Sequence, residues 1–102
     1  MWKKILEEFR DRPRDVKTVP INNRAGVWFY VFVDGNNICV ANAKEHEPSC
    51  KLSNPRVLVE TESDGMLDLY HRRLNGEKVS KEAQAITYSQ VYFYGIFADM
   101  KL

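Results

Sequence analysis

This sequence has few cysteines, no long apolar run and no large excess of either charge. Two cysteines, Cys39 and Cys50, are too few for the disulfide framework of a small secreted domain, so we expect reduced thiols and a cytoplasmic location. No apolar stretch approaches the ~20 residues that cross a bilayer, and residues 1–10 alternate charged with apolar residues, so we expect neither a membrane segment nor a signal peptide. Fifteen basic residues against fourteen acidic ones leave a net charge of +1. This balance removes a general electrostatic attraction to nucleic acid, and only residues 1–24 are mildly basic.

The residue patterns that mark catalytic and metal sites are also missing. The five glycines are dispersed, so there is no glycine-rich phosphate loop. His46 precedes Cys50 in a polar loop, and a nearby histidine can activate a thiol, but neither an orienting third group nor an oxyanion site is evident. Together with Cys39 and His71, these residues do not form the close ligand pairs of a zinc site. We therefore expect no catalytic residue, no metal and no cofactor.

The composition that remains is that of one folded domain. The chain has 102 residues, of which 44% are hydrophobic and 28% are charged. We expect a single α+β domain over residues 1–102. It should consist of an N-terminal helix, a two- to three-stranded antiparallel meander and a helical C-terminal region.

The N-terminal half contains the strand signals. Apolar residues at helical spacing from Trp2 to Phe9 predict the first helix, which Pro13 ends. Residues 14–26 show little periodicity and are predicted to be a long surface connection. The run 27–33 is rich in β-branched and aromatic residues, "DGNN" at 34–37 favours a tight turn, and 38–41 and 56–60 are the predicted second and third strands. Because both faces of 27–33 are apolar, we expect this strand to be central or covered on both sides. We expect helical residues to cover Trp28, Tyr30 and Phe32, with Trp2, Phe9, Leu67 and Leu74 as the candidates.

Three helices are predicted in the C-terminal part. Asp64 is a candidate cap for a helix with an apolar stripe at Met66, Leu67, Tyr70 and Leu74, ended by "NG" at 75–76. Ser80 can begin a second helix, and Thr87 and Gln90 stand in capping-box relation for a third. The third segment, "QVYFYGIF", has high β propensity and a central glycine, so a strand is the alternative there.

Residues 79–98 resemble a DNA-binding helix-turn-helix, with Ala83 as the small residue of the second helix and Phe93 and Ile96 as the inward pair of the third. The resemblance implies nucleic-acid contacts by Arg72, Arg73, Lys78, Lys81, Ser89 and Gln90. Glu82 stands where the motif buries an apolar residue, and Thr87 replaces its turn glycine. The predicted recognition helix carries no lysine or arginine before Lys101, although these side chains make most phosphate and guanine contacts.

The tail contains aromatic residues in place of cations. Tyrosine is favoured at interfaces because it combines apolar area with a polar tip. A subunit interface is therefore predicted at Tyr88, Tyr92, Tyr94 and Phe97, with core filling as the alternative.

The sequence patterns as a whole predict two possible functions. The first is a small non-catalytic binding or interaction domain whose partner is another protein or a second copy of itself, as a homodimer. The second is a nucleic-acid-binding protein.

Overall fold

The computed structural model of the chain describes residues 1–20 and 25–102. Within these residues the order is α1 (Trp2–Asp11), β1 (Arg14–Lys17), β2 (Trp28–Asp34), β3 (Asn37–Asn42), β4 (Arg56–Val57), α2 (Glu60–Leu74), α3 (Ser80–Ile86) and α4 (Gln90–Met100). The α+β class, the N-terminal helix and the helical C-terminal region are confirmed. The sheet has four strands instead of two or three.

The sheet is an antiparallel meander with the spatial order β1-β2-β3-β4. The β2–β3 hairpin forms at the predicted turn, where Asp34 pairs with Asn37 and Gly35 has a φ of +62°. Such a backbone angle favours glycine, because a Cβ atom is strained there. β4 extends only over Arg56–Val57, because the chain enters α2 at Glu60. The predicted third strand over 56–60 was therefore too long.

The missed strand is β1, which lies in the segment that was predicted to be a surface connection. It pairs with β2 from Arg14↔Val31 to Lys17↔Trp28. Its sequence, RDVK, contains a single apolar residue, Val16, which is fully buried. An edge strand with one inward side chain has no periodic signal to detect. The part of the predicted connection at residues 21–24 lies outside the described residues.

The helices pack on one face of the sheet. The core on this face includes Phe29 and Val31 of β2 together with Phe9 of α1 and Phe93 and Phe97 of α4, all buried. The helices therefore contact the side chains that alternate with Trp28, Tyr30 and Phe32 along β2, because successive strand residues point to opposite faces.

The three outward rings of β2 are half-buried by polar neighbours and not by helices. Trp28 stacks on His46 with ring centroids 3.9 Å apart. The Lys44 ammonium lies 4.2 Å from the centroid of the Tyr30 ring, and Phe32 stacks on Tyr30. The predicted covering of these rings by helices was wrong. Since both faces of β2 are apolar, the sequence of the strand does not reveal which face points inward.

The predicted start of α3 is correct, whereas the predicted start of α2 is wrong. α3 begins at Ser80 as predicted, whereas α2 begins at Glu60, with Val59 as its N-cap, and not at Asp64. Met66 and Tyr70 of the predicted α2 stripe are buried, but Leu74 is 65% exposed. The buried position after Met66 is Leu69, which lies on the same side of the helix.

The last segment is a helix and not a strand, and it lies directly on the sheet. All residues from Tyr92 to Phe97 of α4 are buried. A Cβ atom built on Gly95 would lie 2.9 Å from the Phe29 ring and 3.0 Å from the Lys17 carbonyl oxygen. The glycine that favoured a strand at the sequence level is therefore the position at which α4 approaches the sheet most closely.

Candidate ligand cavity

A cavity of about 390 Å³ lies at the N-terminal end of α4. It is bounded by residues 18–20 after β1, by Val27 before β2, by the region where α2 leads into α3, and by α4. The residues that line it are Thr18, Val19, Pro20, Val27, Arg73, Val79, Ser80, Gln90, Val91 and Tyr94. Its size falls in the range typical of small-molecule sites.

Four valines and a proline form the aliphatic part of the walls of this cavity. Val79 is the N-cap residue of α3 and is only 3% exposed, so it forms a fixed part of the wall. Val91, in the first turn of α4, is 48% exposed and forms part of the rim. Val19 and Val27 line the side of the sheet. An aliphatic ligand in this space would be removed from water by apolar contacts, which favour its burial.

Arg73, near the C-terminal end of α2, is the cation of the cavity. Its Nη2 donates a hydrogen bond to the Val19 carbonyl oxygen, and its guanidinium carbon lies 4.6 Å from the centroid of the Tyr94 ring. Within residues 1–20 and 25–102, no carboxylate lies within ion-pair distance of Arg73. Its neighbour Arg72, in contrast, pairs with Glu77 and Glu82. Hydrogen bonds to Glu82 and Glu77 raise the pKa of Arg72 above its ordinary value.

Tyr94 has a hydroxyl group that forms no hydrogen bond within the described part of the chain. The residue is 6% exposed, and its oxygen atom is buried. Removal from water raises the pKa of this hydroxyl, and the nearby Arg73 lowers it by less. The hydroxyl is therefore protonated at neutral pH and can donate. A buried hydroxyl without a partner is costly, so it is expected to bind any acceptor that comes within reach.

The first turn of α4 adds backbone donors. The first four N–H groups of an α-helix lack partners inside the helix. The N–H groups of Tyr92 and Phe93 donate to the Ser89 carbonyl oxygen, and the Ser89 side chain makes no capping hydrogen bond. Neither the N–H of Gln90 nor that of Val91 donates to another described residue, and both residues line the cavity.

The predicted interface residues are separated by the fold. Tyr92, Tyr94 and Phe97 are 7%, 6% and 0% exposed and belong to the core of the chain. Tyr88 precedes α4 and is 95% exposed. Of the four rings, only that of Tyr88 has a large area free to contact a partner. The alternative of core filling describes the other three.

The predicted nucleic-acid contacts are also placed in different environments. Arg72 is held by its acidic partners, and Ser89 is 7% exposed. Lys78 and Lys81 are exposed and line a separate concavity, which they share with Arg73. Gln90 and Arg73 come together in the wall of the cavity, and Arg73 also adjoins the concavity lined by Lys78 and Lys81. These residues do not form one continuous basic surface along α4.

His46 and Cys50 do not form a pair. The His46 Nδ1 lies 2.9 Å from Asp15 Oδ2, whereas the Cys50 sulfur contacts the Ala41 carbonyl oxygen at 3.7 Å. Burial is the largest influence on Cys50 and raises the pKa of its thiol. The thiol is therefore less ionised at neutral pH than an ordinary cysteine, which makes it a poorer nucleophile.

The side chain of Asp15, in the edge strand β1, binds the loop that contains His46 through hydrogen bonds. Its side chain is 2% exposed and accepts hydrogen bonds from the N–H groups of Lys44, Glu45 and His46 and from the His46 ring. Burial by itself raises the pKa of Asp15, but these donors together hold it below its ordinary value. This arrangement accounts for the ordered path of a polar loop.

Comparison with known proteins gives no relative: no family model, no curated protein and no solved structure matches the chain. Among the residues described, no group of three histidine, cysteine or acidic side chains is placed to hold a metal ion. None of the helices in that part of the chain has the length and apolarity needed to cross a bilayer.

Sequence reasoning identified two residues of the cavity, Arg73 and Gln90, but it assigned them to a nucleic-acid surface. It assigned Tyr94 to a subunit interface. The valines of the wall come from four separate segments, after β1, before β2, before α3 and in α4, so no local pattern connects them. The one available signal was that Arg73 lacks an acidic residue at the positions three and four before it in the helix, whereas Arg72 has Asp68.

Proposed function

We propose that this chain is a small non-catalytic binding domain that holds a small, largely apolar ligand in the cavity at the N-terminal end of α4. The observation that carries the proposal is the cavity itself, which measures about 390 Å³ and is lined by four valines, a proline and five residues with polar groups. Apolar walls combined with polar groups that can orient a ligand are typical of ligand sites.

We propose a non-catalytic domain because of the types of residue that line the cavity. None of the residues lining it is a histidine, cysteine, aspartate or glutamate. Its hydroxyl groups, on Thr18, Ser80 and Tyr94, have no such side chain in the wall to act as a general base. Histidine and carboxylate side chains are the commonest general bases in nucleophilic and acid–base catalysis.

Val91 provides a test that leaves the core intact. A Val91→Trp substitution places a large ring at the rim of the cavity, where the valine is 48% exposed. Val59→Trp is the matched control, because Val59 is equally exposed at 48% and lies at the start of α2, outside the cavity. Binding of 1-octanol and of sodium octanoate to each protein can be followed by amide chemical shifts.

We expect at least one of the two probes to bind the unmodified chain and the Val59→Trp variant. Binding to Val91→Trp should be at least about tenfold weaker, because blocking the rim forfeits more than ~1.4 kcal/mol of apolar contact. If neither probe binds, or if both tryptophan variants bind as well as the unmodified chain, the cavity is not the ligand site.

A further inference from the structure

The polar groups on the wall of the cavity include several hydrogen-bond donors without a described acceptor, beside the Gln90 amide and the Ser80 hydroxyl, which can both donate and accept. Arg73 can only donate, and the protonated Tyr94 hydroxyl has no partner among the described residues. The N–H groups of Gln90 and Val91 are donors without a described acceptor. The Thr18 hydroxyl already accepts from the Val27 N–H, which leaves its own proton to donate. A ligand that satisfies these groups must offer acceptors.

The charge at this side of the cavity is positive. No aspartate or glutamate lines the wall, and the Arg73 guanidinium has no carboxylate within ion-pair distance in the part of the chain described here. The N-terminus of α4 adds the partial positive charge of the helix dipole, about half an elementary charge. An anion placed between them would gain from both, and backbone N–H groups at a helix N-terminus are a common anion site.

We propose that the ligand is an aliphatic carboxylate, with its hydrocarbon part against the valines and its carboxylate held by Arg73 and the first N–H groups of α4. This inference rests on the proposed function and specifies the chemistry of the same site. A carboxylate is favoured over a phosphate because the described residues of the wall include a single guanidinium, which matches a monoanion better than a phosphate group that carries more than one charge at neutral pH.

Sodium octanoate, 1-octanol and octyl phosphate separate the possible outcomes. Octanoate and octanol have the same chain length and differ in the anionic group. We expect octanoate to bind at least about tenfold more tightly than octanol, since a charge-assisted hydrogen bond gains more than a neutral one. Octyl phosphate should bind more weakly than octanoate. A phosphate that binds more tightly, or an alcohol that binds equally well, would overturn the assignment of a carboxylate.

Arg73→Gln is the first variant. It should weaken octanoate binding about ten- to a hundredfold and octanol binding much less, because loss of the Arg73 contacts to Val19 and Tyr94 affects both probes alike, whereas only octanoate loses a charge-assisted contact. Lys81→Gln is the matched control, since it removes the same charge from an exposed side chain that does not line this cavity. An equal loss in both variants would mean that octanoate senses only general positive charge, which would refute the carboxylate site.

Tyr94→Phe separates the buried hydroxyl from the carboxylate contacts. Because the hydroxyl is buried without a described partner, removing it should leave the urea midpoint of the free chain unchanged or raise it. Octanoate binding should be unchanged, because this oxygen has no surface open to the cavity, and a clear loss of binding would contradict the assignment of the carboxylate to Arg73 and the N-terminus of α4. If octanol and octanoate bind equally and Arg73→Gln changes neither, the carboxylate assignment fails while the cavity remains the binding site. If neither probe binds, both proposals fail.

Discussion

Gly95 provides a sharp test of how α4 packs. In an exposed helix, replacing glycine by alanine stabilises the fold by up to about 1 kcal/mol, because alanine has the higher helix propensity. At Gly95 the added Cβ would lie 2.9 Å from two carbons of the Phe29 ring and 3.0 Å from the Lys17 carbonyl oxygen. Phe29 is fully buried, and the Lys17 oxygen belongs to the backbone of β1, so neither can move freely.

The two effects have opposite signs and can be compared. Overpacking of a core costs about 1–3 kcal/mol, and here two neighbours are crowded at once, which places the cost in the upper part of that range. Subtracting the gain in helix propensity, we expect Gly95→Ala to lower the free energy of unfolding by about 1–2 kcal/mol. Steric crowding therefore outweighs helix propensity.

The matched control is Gly65→Ala, in the middle of α2. There the new Cβ meets only the Cδ1 atom of Ile86, at 3.1 Å, and this is the mobile end of a flexible side chain. We expect Gly65→Ala to raise the free energy of unfolding by about 0.5–1 kcal/mol. Both can be measured by urea denaturation monitored by circular dichroism. If Gly95→Ala stabilises the chain as Gly65→Ala does, α4 does not contact the sheet at this position.

Three further predictions concern Asp15 and the loop that it holds, the aromatic residues Tyr88 and Phe97, and the thiol of Cys50. Asp15→Asn should lower the free energy of unfolding at pH 7 by about 2 kcal/mol, because an amide oxygen replaces a buried carboxylate that accepts four hydrogen bonds. Since the native pKa of Asp15 is lowered, its stabilisation is present above the unfolded-state pKa of about 4 and is lost as the pH falls through the native value. As the pH is lowered from neutral to acidic, the urea midpoint should therefore fall less in Asp15→Asn than in Asp64→Asn. Parallel curves for the two variants would contradict a stabilising role of the Asp15 carboxylate. Phe97→Ala should cost about 3–5 kcal/mol and Tyr88→Ala less than about 0.5 kcal/mol in the same denaturation assay, and similar costs would show that Phe97 is not a core residue. Alkylation of Cys50 at neutral pH, followed by peptide mass mapping, should be slower than that of a free thiol, because burial raises its pKa; faster alkylation would reopen the case for a nucleophile.

Most of the architecture could be predicted from the sequence, but not which face of each helix or strand points into the core. The hairpin at residues 34–37 and the start of α3 at Ser80 were predictable, because turn residues and caps act locally. The inward face of β2 was not, since apolar residues occupy both sides of the strand. Leu74 fits the helical spacing of α2 but lies at the last turn, where the helix has passed the end of the core.

The site was harder to predict than the fold. Arg73 and Gln90 were identified as polar contacts, but their meeting depends on how α2 and α4 pack. Tyr94 was read as an interface residue because the sequence shows a ring and not its surroundings. Val79 and Val19 belong to segments that meet only in the tertiary structure, and no periodicity connects them.

The central claim is that the space at the N-terminal end of α4 is a binding site. It is tested most directly by titrating methyl-labelled protein with sodium octanoate and following the valine methyl groups by NMR. We predict saturable shifts at Val27, Val79 and Val91, which line the cavity, and little change at Val40 in the core or Val57 on the edge strand. Shifts confined to Val57, or the absence of saturable shifts at the three lining valines both with octanoate and in a second titration with 1-octanol, would contradict the claim.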